Sequence, residues 1–191
     1  MLCQCQLSPV AQKEITTDPK YPLWQQHNQT IAKLSRWRAE GRIAVSYQGE
    51  GGNANFIWEQ YGDNYTLKLI APFGAGTSEL KGSRSRVLFK DEEGHTHVGK
   101  TPEALMEKVM GWHVPISGLQ YWARGIPTPQ TAFGKLEITK DQGTLLKLQQ
   151  NGWEIDYDRY INDNAPPLPS KIRLASRDVS VKLIIKHWKL L

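Results

Sequence analysis

Three consecutive segments decide the fold class of this chain: GRIAVSYQ (41–48), NANFIWEQ (53–60) and NYTLKLIA (64–71). Within each segment apolar residues recur at every second position, which is the pattern of a β-strand with one buried face. The runs between them, GEGG (49–52) and YGDN (61–64), carry the Gly, Asn and Asp residues that hairpin turns favour. These segments therefore predict an antiparallel meander of three strands.

The same alternation continues along the rest of the chain. It recurs in SRVLFK (85–90), in HTHVG (95–99), between residues 135 and 160, in KIRLAS (171–176) and in VSVKLIIKHW (179–188). About ten or eleven strands are more than two packed sheets need in a chain of this length. The pattern favours a mainly β protein with one large curved sheet.

A helix is predicted ahead of the first strand. It begins at Pro22, and Gly41 is expected to end the helical region. Apolar side chains recur there at the spacing of one helix face. These side chains are Trp24, His27, Ile31 and Leu34.

Two further helices are predicted in the middle of the chain. Thr101 suits the N-cap and Pro102 the first position of a helix that stops at Gly111. A shorter helix follows Pro115, in ISGLQYWARG (116–125). Both are more apolar than a surface helix requires, so they either plug the end of a barrel or form a lid that opens for a ligand.

The N-terminal segment differs in composition from the rest. Residues 1–20 lack apolar periodicity and predict a flexible tether, which leaves 21–191 as the folded domain. Cys3 and Cys5 are too close in sequence to pair with each other, and a cysteine before a polar segment is the arrangement of a lipid-anchored protein. Both are candidate lipidation sites. The secretory leader expected before such a cysteine is absent ahead of them, which leaves open which one is acylated.

Charge and motifs exclude several function classes. The net charge of +5 comes from basic residues that are interspersed with acidic ones. This arrangement predicts either that the basic residues lie on solvated strand faces or that they weakly attract anionic lipid or an acidic partner. It does not indicate nucleic-acid binding. No apolar run approaches the ~18 residues of a membrane-spanning helix. His95 and His97 lack a third ligand, so no metal site is predicted. Without a nucleophile motif or a phosphate-binding loop, we expect neither an enzyme nor a cofactor.

Motifs in fixed order resemble the LolB family of outer-membrane lipoprotein acceptors. They run through residues 21 to 189 as WQQH (24–27), GRIAVS (41–46), FIW (56–58), APFG (71–74), TSEL (77–80), WARGIP (122–127), NGWEIDY (151–157), PLPSKIRL (167–174) and VKLIIKHW (181–188). The resemblance implies one antiparallel sheet of about eleven strands, curled into an unclosed half barrel with about three helices over its open face.

The resemblance also implies a function without catalysis. Such a protein accepts lipoproteins from the periplasmic carrier LolA by binding their acyl chains in an apolar cavity. It then inserts them into the inner leaflet of the outer membrane. The expected partners are LolA, lipoprotein cargo and outer-membrane phospholipid. The expected form is a monomer, lipid-anchored on the periplasmic face of that membrane.

Two groups of site residues follow from the resemblance. The turn formed by Pro72, Phe73 and Gly74 is predicted to protrude and assist membrane insertion, although the better-known family members carry Leu where this chain has Phe73. The alternative is that Phe73 folds back onto the core. Candidate cavity residues are Ile43, Val45, Tyr47, Phe56, Trp58, Leu67, Leu69, Leu105, Val109, Leu119, Trp122, Leu146, Leu148, Trp153 and Ile155. Which strand face is concave stays open.

Three rival functions remain. A LolA-like soluble carrier would share the barrel, but the N-terminal cysteines and the Phe73 turn disfavour it. A lipocalin-like binder of small hydrophobic ligands would share the alternation and the seven Trp residues, but it would be a closed barrel without helices in mid-chain. A lipid hydrolase would need a nucleophile motif.

Overall fold

The computed structural model describes residues 14–83, 85–162 and 166–191. Its strands are β1 (Ile15–Thr16), β2 (Arg36–Tyr47), β3 (Glu50–Tyr61), β4 (Asn64–Ile70), β5 (Thr77–Gly82), β6 (Val87–Lys90), β7 (Thr96–Gly99), β8 (Phe133–Thr139), β9 (Leu145–Gln150), β10 (Trp153–Ile161), β11 (Leu168–Ser176) and β12 (Val179–Leu190). The helices are α1 (Pro22–Ala32), α2 (Pro102–Met110) and α3 (Ile116–Trp122), and a 3-10 turn spans Pro72–Gly74.

All twelve strands of the described residues form one antiparallel sheet. Their order is β1-β8-β9-β10-β11-β12-β2-β3-β4-β5-β6-β7, and β1 and β7 are edges that do not pair with each other. The sheet is therefore unclosed, as predicted. Its two halves face the same helices: α3 packs on α2, α2 packs on β6 and β7, and Trp122 of α3 hydrogen-bonds to Gln150 of β9. The sheet thus curls around a helical cover.

The extra strand, β1, comes from the segment assigned to the tether. Ile15 pairs with Thr139 of β8, and the Lys140 amide donates to the Glu14 carbonyl oxygen at 2.9 Å. Ile15 and Thr16, which the sequence placed in the tether, are therefore part of the sheet, and the extent of the tether stays a prediction. A two-residue strand is too short to show alternation in the sequence, so only its pairing with β8 identifies it as a strand. Cys3 and Cys5 lie outside the described residues.

The predicted extent of the first helix was wrong. The helix ends at Ala32, and β2 begins at Arg36. Trp24, His27 and Ile31 are buried as expected, but Trp37 and Ala39 then alternate inward with strand periodicity. These residues pair with β3 on one side and β12 on the other, and this long-range pairing overrides the local helical spacing.

Gly41 has a different role from the helix stop that was expected. It lies inside β2, where a Cβ atom would overlap the main-chain carbonyl oxygen of Ile184 in β12. The residue permits a close approach of two strands, which is a common reason for a glycine in a strand interior.

α2 matches its predicted boundaries, whereas α3 begins where predicted but ends at Trp122, three residues before the end of the predicted segment. The Thr101 hydroxyl accepts from the Ala104 amide at 3.3 Å, and Gly111 ends α2 in the left-handed conformation with φ 67°. The short α3 follows Pro115. No helix within the described ranges is long and apolar enough to cross a membrane.

A buried arginine connects the helices at one end of the molecule. Arg124 is 7% exposed and donates to the carbonyl oxygens of Ile31 at 3.2 Å, Leu34 at 2.9 Å and Gln120 at 2.8 Å. Its guanidinium lies 5.9 Å from the centre of the Trp37 ring. Burial lowers the pKa of Arg124 to about 10. The side chain thus ties the end of α1 to α3.

The outer surface of the sheet carries charged pairs. Arg38 contacts Glu59 at 2.6 Å, and Lys81 contacts Glu79 at 2.6 Å. Such exposed pairs contribute little stability. These pairs favour the interpretation that the basic residues lie on solvated faces of the strands.

Candidate functional site

A dry cavity lies between the concave face and α3. The strand residues lining it belong to neighbouring strands, and Ile43 pairs with Leu183, Phe56 with Leu69, and Trp58 with Leu67. Paired residues in a sheet point to the same side, so these side chains converge. The full lining is Ile43, Phe56, Trp58, Leu67, Leu69, Ile116, Leu119 and Leu183.

The cavity is almost filled in this conformation. It offers about 10 Å³ of water-accessible space, roughly what one water molecule needs. Ile116 and Leu119 of α3 are each 1% exposed and occupy the space that the concave face encloses. A ligand larger than one water molecule does not fit in this conformation.

The only polar atom of the lining side chains is satisfied outside the cavity. The Trp58 indole N–H donates to the Gln60 side-chain oxygen at 3.0 Å, and the Gln60 amide donates to the Gly62 carbonyl oxygen at 2.7 Å. Trp58 therefore contributes only carbon atoms to the cavity wall, and no polar side-chain atom of the lining is free to hydrogen-bond a water molecule in the cavity.

Six of the fifteen predicted cavity residues meet at this site: Ile43, Phe56, Trp58, Leu67, Leu69 and Leu119. Others are buried in the same apolar core without lining the cavity, namely Val45, Leu105, Trp122, Leu148 and Ile155, while Val109 and Trp153 are partly buried against it. Whether any of them contacts a ligand stays a prediction.

Two predicted residues lie at the margin of the core. Tyr47 is 36% exposed and packs against His113, with ring centres 4.2 Å apart and ring planes tilted by 42°. Leu146 is partly buried, whereas its neighbour Leu145 is completely buried. A register irregularity between β8 and β9 at Glu137 and Ile138 shifts the inward face by one residue there.

Sequence reasoning missed Ile116 and Leu183 as cavity residues. Leu183 lies in the alternating run of β12, but it takes its place only because β12 pairs with β2, far away in sequence. Ile116 lies on the same side of α3 as Leu119. Nothing local indicates that this side faces β3 and β4.

A polar pocket adjoins the dry cavity. It has a volume of about 250 Å³ and shares Trp58 and Ile116 with the cavity; its polar lining comes from Asp63, Tyr65, Ser83, Lys100, Thr101, Ser117 and Gln120. Glu103 couples the helices beside it, because its carboxylate accepts from the Ser117 amide at 2.6 Å. α2 and α3 are thus connected at the pocket.

Tyr65 is the unusual residue of this pocket. Its hydroxyl is buried and has no hydrogen-bond partner among the described residues. The ring lies over Gly82, where any Cβ atom would collide with it. Burial, and then the negative charge of Glu103, raise the pKa of Tyr65, so the hydroxyl stays protonated.

The turn between β4 and β5 projects Phe73 away from the protein. The Phe73 side chain is 107% exposed, and its backbone adopts φ 58° and ψ 24°. The Ala71 amide donates to the Gly76 carbonyl oxygen at 3.0 Å and closes the turn. Phe73 does not fold back onto the core. A bulky residue in the left-handed region is strained, and such strain is found mainly at functional sites.

Of the two histidines of HTHVG, His95 lies in the turn before β7 and His97 lies within β7. Asp91 accepts from the His95 amide at 2.8 Å and lies 2.9 Å from His97 Nε2. The hydrogen bond with His97 lowers the pKa of Asp91. Among the described residues no group of three or more potential ligands could hold a metal ion.

Comparison with known proteins decides the family. The family described as outer membrane lipoprotein LolB matches residues 35–188, which include the cavity strands, the Phe73 turn and both central helices. The chain belongs to the LolB family. An outer-membrane lipoprotein LolB of Francisella tularensis is 37% identical over 168 residues, covering 86% of this chain and 78% of the relative. The LolB of Pseudomonas aeruginosa is 32% identical, covering 87% and 80%.

A solved structure supports the fold. A LolA superfamily protein from Nitrosomonas europaea superposes with a TM-score of 0.59 at 7% identity, covering 92% of this chain and 94% of that one. At this identity the likeness shows the fold alone. The LolB family is a non-enzymatic family of lipoprotein receptors, so the expectation that this chain is no enzyme is confirmed.

Proposed function

We propose that this LolB-family chain accepts lipoproteins from the carrier LolA by binding their acyl chains under α3, and inserts them into the inner leaflet of the outer membrane. The observation that carries the proposal is the apolar cavity that α3 plugs with Ile116 and Leu119. In this proposal α3 is a lid, and its two side chains occupy the place of the acyl chain until cargo arrives.

The energetics favour such an exchange. Each methylene of an acyl chain costs about 0.8 kcal/mol in water, so a lipoprotein cannot cross the periplasm unaided. A lid that fills the empty cavity with its own side chains avoids exposing the concave face. When cargo binds, its acyl chain replaces the lid side chains in contact with the concave face, so one apolar contact is exchanged for another. A tenfold preference over the carrier needs only about 1.4 kcal/mol, so no external energy source is required.

In this proposal the segment between α2 and α3 is the hinge of the lid. Gly111 is left-handed at the end of α2, and residues 111–115 between the helices contain no helical turn. The hydrogen bond from the Ser117 amide to Glu103 holds the start of α3 against α2 in the closed position. We place the release step at the Phe73 turn, whose exposed aromatic ring can enter the membrane interface.

The anchor and partners complete the proposal. The segment before Glu14 would tether the domain to the periplasmic face of the outer membrane through an acylated Cys3 or Cys5. The protein would act as a monomer that contacts LolA, cargo and membrane phospholipid in turn.

Truncation of the lid tests the cavity. Leu119→Ala should cost the free protein about 2–5 kcal/mol of stability, because Leu119 is fully buried. The same truncation vacates part of the cavity, so a fluorescent fatty-acyl probe should bind more tightly than to the wild type. Binding is measured by saturation and by competition with unlabelled fatty acid.

Leu145→Ala is the matched control. Leu145 is also fully buried but does not line the cavity, so it should lose similar stability with no gain in probe affinity. Absence of saturable probe binding to the wild type would refute acyl-chain binding. Equal affinity changes in the two variants would remove the lid from the proposal.

The rival functions differ at observable points. The open sheet edges at β1 and β7 are not those of a closed lipocalin barrel. A soluble LolA-like carrier would have no use for a strained, fully exposed Phe73. Mixing this protein with cargo-loaded LolA in the presence of liposomes distinguishes acceptor from carrier, because only an acceptor delivers the cargo to the liposomes.

A further inference from the structure

The polar pocket presents polar side chains beside the dry cavity. An acyl chain in the dry cavity ends in an ester or amide, which a wholly apolar lining cannot accommodate without large cost. The pocket shares Trp58 and Ile116 with the cavity, so it is the adjoining polar space. Its volume of about 250 Å³ leaves room for a small head group without any movement of the sheet.

The Tyr65 hydroxyl is a potential hydrogen-bond donor in this pocket. It is buried without a partner in the described part of the chain, although buried polar groups are nearly always hydrogen-bonded. Gly82 makes the room that keeps the ring in this position. Since the hydroxyl is protonated, it can donate to a carbonyl oxygen. Ile116, Ser117 and Gln120 of α3 line the same pocket as Tyr65.

We propose that this pocket binds the ester and amide groups of an acylated N-terminal cysteine, with the Tyr65 hydroxyl donating to one of their carbonyl oxygens. The inference rests on the proposed function, since the pocket can bind the head group of a lipid only if the cavity binds its acyl chain. Gln120, which can both donate and accept, lies in the same wall. The neutral donors match a head group that contains carbonyl acceptors.

Tyr65→Phe tests the assignment, because it removes the hydroxyl alone. Three ligands are used: a pyrene-labelled alkane without a head group, a synthetic triacylated cysteinyl peptide, and a short-chain phosphatidylethanolamine. We expect the affinity for the peptide to fall about threefold to tenfold, the effect of one hydrogen bond. The affinity for the alkane should be unchanged.

Tyr157→Phe is the matched control. The Tyr157 hydroxyl is also buried without a partner in the described residues, but Tyr157 does not line the pocket. Neither variant should lower the melting temperature, because each loses only a polar atom that makes no hydrogen bond. Tyr157→Phe should bind all three ligands as the wild type does.

The outcomes separate the two proposals. A wild-type protein that binds neither the alkane nor the peptide overturns the proposed function and this inference with it. Binding of both ligands with no peptide-specific loss in Tyr65→Phe overturns the inference alone. An equal loss for phosphatidylethanolamine supports recognition of the shared glycerol ester, and a loss confined to the peptide supports recognition of the cysteinyl amide.

Discussion

The Phe73 turn allows cargo binding and cargo release to be separated in one variant. Phe73→Glu changes a side chain that is 107% exposed, so no core contact is lost. Exposed substitutions change stability by about 0.5 kcal/mol or less, which corresponds to roughly 1–2 °C in melting temperature for a domain of this size. The dry cavity is untouched, so acceptance of lipoprotein from LolA should be unchanged.

Delivery to membranes should fall sharply. Phe is favourable in the apolar region of a bilayer by about 0.3–0.6 kcal/mol, whereas an acidic side chain costs about 2.5–3.5 kcal/mol at its centre. A tip that reaches only the interface experiences part of this difference, so we expect a loss of about tenfold to a hundredfold in the rate of delivery. Liposomes are mixed with cargo-loaded protein, and cargo is measured in the floated fraction.

Two further variants control the experiment. Phe133→Glu places the same charge on a different exposed Phe, which is 38% exposed in β8, and it should deliver normally. Phe73→Gly removes the aromatic ring and also relieves the left-handed backbone strain at φ 58°. It should not lower the melting temperature, yet it should still impair delivery. A melting temperature reduced by more than about 6 °C in Phe73→Glu, the shift expected when a buried aromatic is lost, with acceptance and delivery lost together, would refute the membrane-tip mechanism.

Arg124 and His27 provide two further predictions. Arg124→Met removes the guanidinium that donates to the carbonyl oxygens of Ile31, Leu34 and Gln120. It should lower the free energy of unfolding by about 3 kcal/mol in urea titrations, and full stability in that variant would contradict the tie between α1 and α3. Burial lowers the pKa of His27 to about 4, below the 6.5 of the unfolded chain. The contribution of neutral His27 to the free energy of unfolding is therefore fully present above about pH 6.5. It is lost as the pH falls toward 4, and the loss amounts to up to about 3 kcal/mol. His27→Phe should reduce this pH dependence, and an unchanged slope would show that His27 does not cause it.

Local patterns determined most of the secondary structure. Alternation in β2, β3 and β4 and the turns between them follow from side-chain period and turn chemistry. The boundaries of α2 follow from the Thr101 cap and Gly111, which act within one helical turn. The exposure of Phe73 was also predictable, because Pro and small residues around it provide no local apolar contact.

Tertiary structure decided what local patterns could not. The end of α1 and the strand identity of Trp37 depend on pairing of β2 with β12, whose residues lie more than a hundred positions away. The cavity lining depends on the same pairing, since it brings Leu183 beside Ile43, and on the docking of α3, which brings Ile116 into the lining. The Tyr65 hydroxyl and the buried Arg124 acquire their environments only when distant segments pack. Periodicity shows which side chains share a face, but the curl of the sheet and the seating of the helices determine what that face encloses.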